Sequence, residues 1–215
     1  MSKVVLSFFV GALTVTLSAG ALYAQTIIEG TVELPQRKYL AVPQDRYQDK
    51  TQKPIEEPDE LTAAVFLEGD FPPPVSVPVV ELRQQGYQFR PGLLVIQTGT
   101  TVVFPNLDDD YHNILSYSMT KRFDLGRYRK DEPAPRMTFD NPGLVKTYCE
   151  IHEHMQGTIL VVDTPHFTRT DAEGRYRLDG IPPGNYVLKA WVRNKKVWEK
   201  AVIITAGESY EVNFP

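Results

Sequence analysis

Beyond its first two dozen residues this chain keeps no helical period; its apolar residues alternate instead. Ile28, Gly30, Val32 and Leu34 oppose Glu29, Thr31 and Glu33. The same period of two runs through Tyr176 and Leu178, through Tyr186, Leu188, Ala190 and Val192, and through Tyr210, Val212 and Phe214. Such a period marks a strand with one wet face. Between them stand short apolar stretches, "LTAAVFLEG", "FRPGLLVIQTGTTVVFPN", "YHNILSYS", "PRMTFDNPGLVKTYC" and "GTILVVD", punctuated by Gly, Pro and Asn. Short strands at regular spacing with such turns predict an all-β protein built as an antiparallel sandwich or barrel. Two segments stand apart: residues 35–60, rich in Pro, Gln and charge, read as a long loop, and "DFPPPVSVPVV" reads as a stiff extended connector.

The length of 215 residues, 42% hydrophobic and 23% charged, suits one large or two small globular domains. A net charge of -4 and no Lys/Arg run interleaved with aromatics exclude nucleic acid as an expected partner. "MSKVVLSFFVGALTVTLSAGALYAQT" has an early cation, an apolar run and small residues before a polar continuation, the layout of a secretory signal over residues 1–24. Cleavage after Ala24 or Ala21 suits it; an uncleaved anchor is the alternative, since Val4 to Tyr23 is just long enough to span a bilayer. No later segment reaches membrane length, so no span is expected after signal removal, and a periplasmic or otherwise exported location follows.

Export makes the single cysteine, Cys149, informative. It cannot pair internally, which leaves a buried thiol, an intermolecular bridge or a metal ligand. In "YCEIHEHMQG" it shares seven residues with His152, His154 and Met155. Thiolate and thioether with two imidazoles select copper, and a His, His, Cys set with a weak axial Met is an electron-transfer arrangement. One tight loop can supply Cys, His and Met, so the second imidazole must come from elsewhere. "FPNLDDDYHNIL" offers His112, followed by Asn113. Zinc is the rival metal, although it gains little from a thioether. A buried cysteine beside a core-filling methionine is the simpler reading of either residue alone.

Phe104 to Asn113 and Tyr148 to Gly157 resemble the two copper-binding segments of the cupredoxins, and the C-x-x-H-x-x-M spacing of Cys149, His152 and Met155 is similar to the short ligand loop of the amicyanin type. "FRPGLLVIQTGTTVVFPN" resembles the cupredoxin N-terminal hairpin, so the resemblance spans residues 75–163. It implies a Greek-key sandwich with one type 1 copper ion on His112, Cys149, His152 and Met155, and with Asn113 tying the two segments together. "TDAEGRYRLDGIPPGNY" resembles the carboxypeptidase regulatory-like, transthyretin-like module. That module needs more strands than residues 164–215 supply, and "EGTVEL" and "TAAVFLEG" resemble its first strands. The expected organisation is therefore a second sandwich from residues 26–70 plus 164–215, with the copper domain inserted; the alternative adds 26–70 to the copper domain as edge strands. The combination is similar to exported proteins of the methylamine-utilisation type.

The resemblance implies a blue-copper protein, not an enzyme, that passes single electrons to a protein redox partner docking near His152. The alternatives are a copper carrier and a non-redox sandwich that binds protein or carbohydrate. His154 is expected to face solvent, and Asp108, Asp109 and Asp110 to form a solvated turn or else a docking patch. His166 is placed in the interdomain connection, "RNKKVWEK" at a hairpin tip, and Trp191 and Trp198 in core or edge packing.

Overall fold

The computed structural model describes residues 26–35, 61–72, 76, 78–193 and 197–215. The expected signal over residues 1–24 and almost all of the long loop of residues 35–60 lie outside them. Among the described residues every regular element is a strand. In chain order these are β1 (Ile27–Thr31), β2 (Ala63–Glu68), β3 (Val79–Glu81), β4 (Arg83–Gln84), β5 (Phe89–Arg90), β6 (Leu93–Gln97), β7 (Thr100–Val103), β8 (His112–Tyr117) and β9 (Arg122–Tyr128). They continue as β10 (Arg136–Phe139), β11 (Gly143–Tyr148), β12 (Gln156–Val162), β13 (Phe167–Arg169), β14 (Arg175–Asp179), β15 (Gly184–Val192), β16 (Trp198–Ile204) and β17 (Ser209–Glu211). The fold is an all-β, sandwich-type fold.

Two apolar cores divide the strands. One gathers Phe89, Ile96, Val102, Phe104, Ile114, Phe139, Val145 and Ile159, and with them Cys149 and Met155. It lies between the five-stranded sheet β6-β12-β11-β8-β9 and the three-stranded sheet β10-β7-β3. The other gathers Ile28, Val32, Val65, Leu67, Tyr176, Leu178, Leu188 and Phe214, between β14-β1-β17 and β13-β2-β15-β16. β1 pairs with β14 and β17, and β2 with β13 and β15, so both early strands are hydrogen-bonded into sheets of carboxy-terminal strands.

A third cluster joins the two halves. Leu93 and Val95 of β6 and Leu160 and Val162 of β12 turn away from the first core and meet Ala64, Phe66, Phe167 and Trp191. Period two explains this division: Leu94, Ile96, Ile159 and Val161 of the same strands face the first core. It also explains the unbroken apolar run of β2, whose Ala63, Val65 and Leu67 serve one core while Ala64 and Phe66 serve the junction. Arg169 Nη1 donates to Leu93 O at 3.0 Å across it.

Three expectations are corrected. β6 and β7 do not form a hairpin. β6 pairs with β12, and β7 with β10 and β3, so the turn at Thr98–Gly99 carries the chain from one sheet of the sandwich to the other; Gly99 takes φ 88° there. The sheets are mixed rather than purely antiparallel, because β6–β12, β3–β7 and β1–β17 run parallel. The proline-rich connector ends in a strand, β3, which lies at the edge of its sheet. Edge strands tolerate a neighbouring proline such as Pro78 because one row of donors faces no partner.

Candidate metal centre

β11 and β12 pair up to Tyr148 and Gln156, and the seven residues from Cys149 to Met155 form the loop between them. Cys149 N donates to Met155 O at 3.2 Å and Met155 N donates to His152 O at 2.9 Å, which closes that loop tightly. β8 lies on the other side of β11, with Tyr148 paired to Leu115, so His112 at the start of β8 stands beside the loop. Short sequence spacing and sheet adjacency thus put the three side chains at one end of the sandwich.

The donor atoms of His112, Cys149 and His152 all lie within 4.8 Å of one another. His112 Nδ1 is 3.0 Å from His152 Nδ1, and Cys149 Sγ is 3.8 Å from the same nitrogen. Met155 is fully buried in the same core cluster as Cys149. Asn113 Oδ1 accepts from Glu150 N at 2.7 Å, so the residue after His112 holds the residue after Cys149. His112 is 0%, Cys149 4% and Met155 0% exposed, whereas His152 is 9% exposed, so the imidazole of His152 is the edge of the group nearest solvent.

The electrostatics suit a cation. Burial opposes charge on Cys149, but hydrogen bonds from His112, His152 and the backbone of Asn113 outweigh it and bring the thiol down to about 5. At neutral pH the sulfur is therefore a thiolate, the form that binds metals. His112 is the counterpart: burial lowers its pKa, and Asp108 and Cys149 more than compensate, raising it to about 9. A buried thiolate balanced by an imidazolium is a group in which a metal ion can take the place of the proton. The donor set therefore fits a soft or borderline metal ion.

Two residues escaped the sequence reading. Asp108 is no solvated turn residue: its carboxylate accepts from Gly86 N at 2.8 Å and Tyr87 N at 3.0 Å, and Oδ2 stands 2.9 Å from His112 Nε2. Burial would raise its pKa, yet these bonds hold it below the ordinary carboxylate value. By taking Nε2 it leaves Nδ1 as the inward-facing nitrogen, the carboxylate–histidine arrangement that orients metal-bound imidazoles. Asn106 shapes the turn, accepting from Asp108 N at 2.9 Å and donating to Asp110 O at 2.8 Å and Tyr128 O at 2.9 Å. Asp109 and Asp110 are exposed; Asp109 pairs with Lys130, and Asp110 accepts from the Tyr87 hydroxyl.

Tyr87 is the second. Gly86 and Tyr87, at φ 63° and 58°, make the two-residue turn between β4 and β5, and Gln85 and Gln88 exchange backbone bonds across it. That turn sets the Tyr87 ring edge-on to both imidazoles, with centroids 5.5 Å from His112 and 5.0 Å from His152. Burial and the neighbouring aspartates raise its pKa, so it stays neutral. "QGYQ" offers only the glycine as a turn signal.

His154 is also corrected. It is half-buried rather than solvent-facing, with its ring 6.1 Å from that of His152, and burial lowers its pKa. Both of its ring nitrogens are buried.

Residues 155–215 match the family of the carboxypeptidase regulatory-like domain. The match starts at Met155, and so takes in β12 as well as the strands after residue 163. No curated protein matches the chain. Solved structures similar to part of it include a copper-containing nitrite reductase from Thermus scotoductus SA-01, 29% identical over 40% of this chain with a TM-score of 0.37; the match spans only 22% of that protein. Two variants of amicyanin, both in the Cu(I) form, are similar as well. One is 17% identical over 39% of this chain and 82% of its own, at a TM-score of 0.36. The other, reduced at pH 4, is 19% identical over 41% of this chain and 86% of its own, at 0.37. The chain thus combines likeness to a carboxypeptidase regulatory-like domain in its last third with likeness to amicyanin and a copper nitrite reductase.

Proposed function

We propose that this chain is an exported cupredoxin that holds one type 1 copper ion on His112, Cys149, His152 and Met155 and passes single electrons between protein redox partners. The observation that carries the reading is the convergence of two imidazoles and a thiolate within 4.8 Å at the end of a β-sandwich. Copper held there would supply one-electron chemistry, and a thiolate with two imidazoles and a distant thioether is the donor set suited to it. Asp108 and Asn113 orient His112 and the Cys149 loop, and a rigid donor set keeps reorganisation small when charge changes. With four donors supplied by the chain itself, an ion held there would have no position left for a substrate, so the protein is read as a carrier of electrons and not as an enzyme.

His152 is the proposed exit for the electron, with exposed Leu107, Tyr111 and Ile151 next in sequence to Asp108, His112 and His152 as the surface a partner would meet. Export is read from residues 1–24; no described helix is long and apolar enough to cross a membrane. The copper half is taken as residues 75–163, inserted in a sandwich of residues 26–70 and 164–215, and the pairing of β1 and β2 with the late strands supports that partition.

Voltammetry of the copper-loaded protein tests the function. A reversible one-electron wave with the metal retained through repeated cycles is expected. Loss of the ion to a Cu(I) chelator upon reduction would replace the electron shuttle by a copper carrier.

A further inference from the structure

The junction between the two halves covers only part of the outer face of the five-stranded sheet. Along β11, Leu144, Lys146 and Tyr148 share that face, and their cross-strand partners on β12 are Leu160, Thr158 and Gln156. The apolar end, Leu144 and Leu160, is packed in the junction cluster. The end toward the candidate metal centre is polar, with Lys146 and Gln156 exposed, Tyr148 half-buried and Thr158 buried. There Lys146, Tyr148, Gln156 and Thr158 form the floor of a cleft of about 390 Å³, and Trp191 and Arg193, at the end of β15, form its wall. The wall belongs to the carboxy-terminal sheet and the floor to the sheet that carries Cys149, so neither half builds the cleft alone.

Its lining has one character. Two aromatic side chains, Tyr148 and Trp191, are half-buried, and two cations, Lys146 and Arg193, are exposed. Among the described residues no carboxylate lines the cleft, and neither cation makes an ion pair with a described residue. Gln156 and Thr158 add neutral hydrogen-bonding groups on the floor. The volume falls in the range of small-molecule sites, which combine ring surface with a few placed polar groups. A guanidinium and an ammonium on one rim recognise an anion, the first by its planar fork and the second as a point charge. Flat aromatic walls favour a planar ring, through stacking and burial.

We propose that this cleft binds a small organic anion carrying a planar ring, its charge held by Lys146 and Arg193 and its ring set against Trp191 and Tyr148. An occupant lies one residue along the chain from both Cys149 and Met155, beside the proposed metal centre and outside it. This gives the second sandwich a role as the wall of a binding site, and it stands whether or not the metal reading does.

The test uses the full mature chain, followed by heteronuclear NMR without added metal. The probes are 4-hydroxybenzoate, acetate as charge without a ring, and phenol as a ring without charge. Saturable displacement of the Trp191 indole and Thr158 amide signals by 4-hydroxybenzoate is expected, at least about tenfold tighter than by either fragment. The Trp198 indole, on the far core, should stay fixed. The double variant Lys146→Ala/Arg193→Ala, altered only at exposed positions, should keep the wild-type melting temperature and lose at least about tenfold in affinity. No saturable displacement in the millimolar range, equal binding of the three probes, or unchanged binding by the double variant would each overturn the assignment.

Discussion

Asp108 acts on the site through His112. Its carboxylate is fixed by two backbone donors and faces His112 Nε2 at 2.9 Å, so it selects which ring nitrogen looks inward. Asp108→Asn keeps the shape but removes the charge and lets the amide present a donor to the ring. Metal affinity should fall about 10- to 100-fold, measured by competition against a chelator, with the melting temperature little changed. An unchanged affinity would mean that the carboxylate only shapes the turn. The candidate donors themselves were legible, because Cys149, His152 and Met155 are close in sequence and a local spacing is visible in a string of letters. Asp108 and Tyr87 were not, since their roles depend on a turn at Gly86 that brings residues about twenty apart into contact. An aspartate in "DDD" looks solvated until its backbone donors are known.

At the scale of elements, alternation and short apolar runs located many of the strands but not β3, β4, β9, β13 or β16, whose Trp198–Lys200 reads in sequence as a hairpin tip, and what they could not locate at all was partnership. β6 and β7 follow each other across a glycine turn and read as a hairpin, yet they enter different sheets. A period of two says which residues share a face but not which strand lies alongside. β9, "RFDLGRY", carries Arg122, Asp124 and Arg127 with Gly126 at φ 73° breaking the alternation, and as an edge strand it leaves a weak apolar signature. Gly30 of β1 lies against the backbone that follows β17: a Cβ there would lie 1.9 Å from Val212 O. Gly30→Ala should therefore force β1 away from the final residues of the chain and cost about 1–3 kcal/mol, read from chemical denaturation. The half that carries His112, Cys149 and His152 has its own core, apart from this contact, and the metal affinity proposed for it should be unchanged. A neutral result would show that β1 can shift at no cost.

On the scale of the whole molecule, the junction decides how independent the halves are. Leu93, Val95, Leu160 and Val162 are each at most 8% exposed, and they would face water if both residues 26–70 and residues 164–215 were removed. An excised fragment of residues 75–163 should then self-associate in sedimentation, and Thr at those four positions should return it to a monomer. A monomeric unmodified fragment would argue that the junction buries little. The apolar outer face of β6 and β12 was hidden in the sequence because a strand buried on both faces reads like any other core strand. His166 stands just before β13, its ring 4.8 Å from Phe71, which packs on the core of the carboxy-terminal strands, and burial lowers its pKa. The unfolded chain takes up this proton near its ordinary value of about 6.5 while the folded chain resists it, so stability should fall as pH drops below that value. His166→Phe should remove that part of the acid sensitivity; an identical pH profile in urea unfolding would contradict it. Adding Cu(II) to the purified mature protein and recording its visible and electron-paramagnetic spectra tests whether Cys149 ligates copper. An intense blue or green thiolate charge-transfer band with narrow copper hyperfine splitting is expected, abolished in Cys149→Ser; a colourless product, or a colour that survives that substitution, would contradict the type 1 assignment.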